Sequence, residues 1–191
     1  MTPVWLLDFT KKGSLESFFS TYHNALIQSD PKLDHKRWFY VTDASADGIS
    51  LRVIDETSQH LLKASRINGE IAEKLIPAWT NNDKFLNIIF VGDVEDPITH
   101  KHFLEFFKFL LEKRDQVSAK NIRFFALLWR PDTACYEPGM GKDSLSFVHA
   151  IDDLMHNNEN NRFHKVLFFE SSITPAEKQN ALSSMAIAAL H

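Results

Sequence analysis

Residues 86–99 read Leu-Asn-Ile-Ile-Phe-Val-Gly-Asp-Val-Glu-Asp-Pro-Ile-Thr, and this stretch constrains the fold more than any other. Ile88 to Val91 is an unbroken apolar run bounded by turn residues. A run that short is expected to be a strand buried on both faces. Gly92 and Asp93 end it. Pro97 is then placed to open a long helix, because its fixed φ suits the first turn and its missing N–H would go unpaired there anyway. A buried strand feeding a helix is the unit from which parallel sheets are built. Ligands of such sheets gather at the carboxyl ends of the strands, which puts Asp93 where chemistry is expected.

The rest of the chain repeats this alternation. Val4 to Phe9 predicts the first strand, with Asp8 near its end. Ser14 is an N-cap candidate, and Leu15, Phe18, Phe19, Tyr22, Ala25 and Leu26 recur at helical spacing until Asp30-Pro31. Arg37 to Thr42 and Ile49 to Ile54 read as strands joined by the turn residues 43–48. In the second of these, Ile49, Leu51 and Val53 alternate with Ser50, Arg52 and Ile54, which predicts an antiparallel hairpin at a sheet edge. Thr57-Ser58 would cap a helical stretch interrupted near Asn68-Gly69 and resumed over residues 70–79.

Thr99 to Ser118 predicts the longest helix. Phe103, Phe106, Phe107 and Leu110 form its apolar stripe, and Lys101, Glu105, Lys108 and Glu112 its charged one. The stripe reads as packing on a sheet. Ile122 to Trp129 is a second fully apolar strand, ending at Arg130-Pro131-Asp132. A loop rich in Pro and Gly leads to Asp143, and Leu145, Val148, Leu154 and Met155 mark the next helix. Val166 to Phe169 is the last strand, closed by Glu170-Ser171-Ser172. Thr174-Pro175-Ala176-Glu177 combines an N-cap, a first-turn Pro and a third-position Glu, a strong helix start. No charged side chain follows Lys178, and Met185 to Leu190 is apolar, so this helix is expected to dock on the sheet or to continue into a longer protein of which this is the N-terminal part. Residues 1–191 are read as one α/β domain. Its expected architecture is three-layered and doubly wound, with a mostly parallel sheet, one antiparallel edge hairpin and helices on both faces.

Composition excludes several classes of function. The formal charge is −4 with no long basic block, against a dedicated nucleic-acid binder, whose affinity comes from clustered Lys and Arg. The 16 Phe are the main apolar material of the core, at roughly 2–3 kcal/mol for each one fully buried. Cys135 is the sole cysteine, so no internal disulfide or cysteine zinc cage can form. No signal-like or membrane-spanning apolar run is present, and a cytoplasmic protein is expected.

The strand ends carry Asp8, Asp43, Asp93, Arg130 with Asp132, and Glu170. On parallel strands these groups share one rim. Carboxylates gathered there would repel unless a cation or Arg lay among them, and hard oxygen ligands suit Mg²⁺ or Ca²⁺ rather than zinc. The plainer alternative is that they cap helices and end strands. Other motifs are incomplete. Gly139-Met-Gly141-Lys142-Asp143 resembles the end of a phosphate-binding loop, yet Tyr136 and Asp143 occupy positions that require Gly and Ser or Thr. No Gly-x-Gly-x-x-Gly follows a strand, so a dinucleotide site is not expected. His100 and His102 are expected to be exposed first-turn residues pointing to different sides. Cys135 has no neighbouring His to act as a base. Ser171-Ser172 with His164 lacks the glycines of a nucleophile elbow.

The order strand, helix, antiparallel hairpin, helix, then alternating strands and helices resembles the von Willebrand factor A fold, itself Rossmann-like, over nearly the whole chain. That family's metal site uses Asp-x-Ser-x-Ser after the first strand, a Thr before the helix that follows the hairpin, and an Asp after the central strand. Asp8-Phe9-Thr10 matches the Asp and, loosely, the first hydroxyl. Thr57 would be the distant Thr and Asp93 the central Asp. Lys12 stands where the second Ser should be, so the resemblance implies a degenerate metal site with Asp8 and Asp93 as its remaining ligands. The expected function is therefore a non-enzymatic protein-binding module needing no cofactor. Its partner would meet the rim of Asp8, Thr10, Thr57, Asp93, Thr99 and Arg130, or the loop around Tyr136. One alternative is a Mg²⁺-dependent phosphoryl-transfer or hydrolytic enzyme in which Asp8 and Asp93 hold the metal and Arg130 binds an anion. Another is a structural fragment of a larger assembly.

Overall fold

The structure, a computed structural model, describes residues 4–10, 36–45, 48–54, 60–62, 85–116, 121–132, 134, 141–156 and 163–190. Its strands are β1 (Val4–Asp8), β2 (Lys36–Ser45), β3 (Gly48–Ile54), β4 (His60–Leu62), β5 (Leu86–Asp93), β6 (Ile122–Pro131) and β7 (Lys165–Ser171). The described helices are α1 (Pro97–Gln116), α2 (Lys142–His156) and α3 (Pro175–Leu190). The strands form one sheet in the order β4-β3-β2-β1-β5-β6-β7. Strands β2, β1, β5, β6 and β7 run parallel, and β3 and β4 are antiparallel to their neighbours.

This is a mixed α/β fold, and the apolar runs lie at its centre. Ile88, Phe90 and Val91 of β5 are buried, as are Phe124, Ala126, Leu127 and Leu128 of β6. The alternation of a strand divides them between faces. Leu7, Ile88, Phe90, Phe124, Ala126 and Leu128 face α1 and α2 in one cluster with Phe103, Phe107, Phe147 and Phe163. Rings carry much of that packing: Phe107 stacks on Phe163 at 4.0 Å and meets Phe124 edge-on at 5.3 Å. The opposite face carries Val91, Leu127 and Trp129, on the side where α3 packs over β6 and β7. Gly92 lies where α1 crosses the sheet. A Cβ there would come within 3.0 Å of Leu128 Cδ2 and 3.2 Å of the Phe103 ring, so the missing side chain permits the close approach.

Three expectations are corrected on the far side of the sheet. The hairpin β2–β3 is antiparallel, with Ser45 paired to Gly48 and an irregularity between Val41 and Asp43. It is not itself the edge, because β4 pairs outside β3 through Val53–His60, Arg52–Leu61 and Leu51–Leu62. Residues 60–62 thus form a strand where a helix was expected. The unpaired backbone of β3 offers them a ladder, which outweighs the helical propensity of two leucines. Strand β2 also continues through Asp43 to Ser45, residues expected in the turn. The helices expected over residues 15–29 and 70–79, Thr57, and the loop around Cys135 and Tyr136 lie outside the described residues.

Candidate functional site

The sheet order makes the site. The chain places β2 on one side of β1 and then crosses to place β5 on the other. In open α/β sheets ligands bind at the carboxyl ends of strands where the order reverses in this way. Asp8 and Asp93 end these adjacent strands. Asp8 pairs in register with Val91, two residues before Asp93, so both aspartates belong to the same sheet face, that of α3. Both are 3% exposed.

Each carboxylate is held locally. Asp8 Oδ1 accepts the Thr10 N–H at 2.8 Å and the Thr10 hydroxyl at 2.6 Å, an Asx turn that closes the strand. Asp93 Oδ1 accepts the Glu95 N–H at 2.9 Å, turning the chain toward α1. Asp93 Oδ2 accepts from Lys178 Nζ at 2.5 Å. The same ammonium lies 3.9 Å from the centroid of the Trp129 ring, a cation–π contact in a partly desolvated place. Trp129 is buried, pairs in register with Asp93, and donates from Nε1 to Ser171 Oγ at 2.8 Å. Ser171 passes its own hydroxyl hydrogen to the Ser172 carbonyl at 3.1 Å.

The start of α3 holds Lys178 in place. Thr174 Oγ1 donates to Glu177 Oε2 at 3.1 Å, and the Lys178 N–H reaches the Thr174 carbonyl at 3.0 Å. Hydrogen bonds from Ser172 and then Thr174 lower the pKa of Glu177 below its ordinary 4.5.

Not every expected rim residue joins this group. Arg130 pairs in register with Glu170 and bonds it through Nη2, on the face opposite Asp8 and Asp93. Its guanidinium also lies 5.1 Å from the Phe168 ring. Arg130 therefore does not converge with the two aspartates. Thr99 belongs to the first turn of α1, and Thr57 lies outside the described residues. Asp132 Oδ1 caps the Ala134 N–H at 3.1 Å. Among the described residues no group of three or more His, Cys, Asp or Glu is placed to hold a metal ion.

The histidine expectation is corrected. His100 and His102 are 8% and 9% exposed, so both are buried. His100 donates from Nε2 to the Val94 carbonyl at 2.7 Å and lies flat on Phe147 at 4.3 Å. The His100 ring satisfies the Val94 carbonyl and packs its face against α2, which outweighs solvation at a first turn. Ser171 and His164 stand at opposite ends of β7, each in other hydrogen bonds, so they form no catalytic pair. Gly141, at φ 89°, opens α2 with its carbonyl accepting the Leu145 N–H at 2.7 Å, a helix entry.

Trp129 and Lys178 were not singled out from the sequence as site residues, and Ser171 was weighed there only as a nucleophile. The signal for Lys178 was its position: a lone cation in the first turn of a helix opposes the helix dipole and requires a partner from elsewhere. No described helix is long and apolar enough to cross a membrane.

No family model matches the chain, and no curated protein matches it. A solved structure described as an uncharacterised protein from Capnocytophaga ochracea is similar over 98% of this chain, with a TM-score of 0.40 and 10% identity. The match covers 55% of that protein, so this chain spans about half its length.

Proposed function

We propose that this chain is a non-enzymatic protein-binding module of von Willebrand A-like layout whose strand-end metal site is degenerate. One observation carries the reading: the ammonium of Lys178 sits on Asp93. A tethered cation there does what a divalent ion would do for the buried carboxylate, and it removes an oxygen that a metal would need. The Thr10 hydroxyl engages an oxygen of Asp8 as well, by a hydrogen bond. Near the carboxyl ends of β6 and β7 the described residues include exposed Ile173, at 50%, exposed Phe168 and the Arg130–Glu170 pair, apolar and charged groups suited to a protein partner.

The test joins two measurements. Thermal melts in Mg²⁺, Mn²⁺ or Ca²⁺ are expected to show no shift, where a site filled at 100 times its dissociation constant would add about 2.7 kcal/mol. Crosslinking in a lysate is expected to capture a partner that Ile173→Asp releases. A melting shift that Asp93→Asn abolishes, together with turnover of a phosphorylated substrate, would replace this reading with the Mg²⁺-dependent enzyme.

A further inference from the structure

We draw no further inference here: the strongest candidate, the buried Oε1 of Glu95 just past Asp93 at the carboxyl end of β5, without a hydrogen-bond partner among the described residues, belongs to the strand-end acidic site already described, and no second observation points to a ligand there.

Discussion

Lys178 Nζ and Asp93 Oδ2 meet at 2.5 Å across 85 positions of sequence. The contact ties the first turn of the last helix to the end of the central strand. Asp93 is almost wholly buried, and the Lys178 side chain is 30% exposed, so the pair sits in a partly desolvated place where loss of one member strands the other.

Lys178→Ala should therefore destabilise the fold by roughly 1–3 kcal/mol in urea melts, since Asp93 keeps its charge and loses its counter-ion. Adding Asp93→Asn in the same chain should recover part of that loss. Strictly additive losses in the double-mutant cycle would show that the two groups do not interact.

Gly92→Ala should cost roughly 1–3 kcal/mol by overpacking, because the added Cβ meets Leu128 and the buried Phe103 ring at the α1 crossing. Calorimetric melting of the variant checks it. An unchanged melting temperature would mean that α1 sits farther from the sheet.

Phe90 contacts the rings of Phe9, Phe103, Phe107 and Phe163 and is fully buried. Phe90→Ala should cost about 3–5 kcal/mol through lost burial and the cavity left behind. Phe85, exposed under the Arg123 guanidinium at 3.8 Å, should cost much less when changed to Ala. Equal losses at both positions would contradict the placement of the core.

The Glu177 carboxyl titrates below its ordinary 4.5 because Ser172 and Thr174 bond its charged form. A depressed folded-state pKa gives stability that is fully present above 4.5 and is lost as the pH falls through the folded value. Glu177→Gln should therefore matter most near neutrality and little at strongly acid pH. Denaturant midpoints of wild type and variant, measured across that range, should converge as the pH drops.

The central strands were legible because burial on both faces leaves a run such as Ile88 to Val91 with no polar residue to interrupt it. The start of α3 was legible for a different local reason: Thr174, Pro175 and Glu177 satisfy the first turn of their own helix. Strand β4 was not, because three residues become a strand only when a neighbour's edge is there to pair with. The burial of His100 was not, since its stacking partner Phe147 belongs to another helix.

The sequence alone determined where the buried strands lie and that Asp8 and Asp93 end two of them. Both follow from hydrophobic period and local spacing, which act between neighbours in the chain. Only the tertiary structure decided which groups meet at those strand ends: Asp93 with Lys178 over Trp129 on one face, Arg130 with Glu170 on the other. Strand order and the parity of side chains across the sheet set those meetings, and both arise from packing among elements far apart in sequence, which no local pattern encodes.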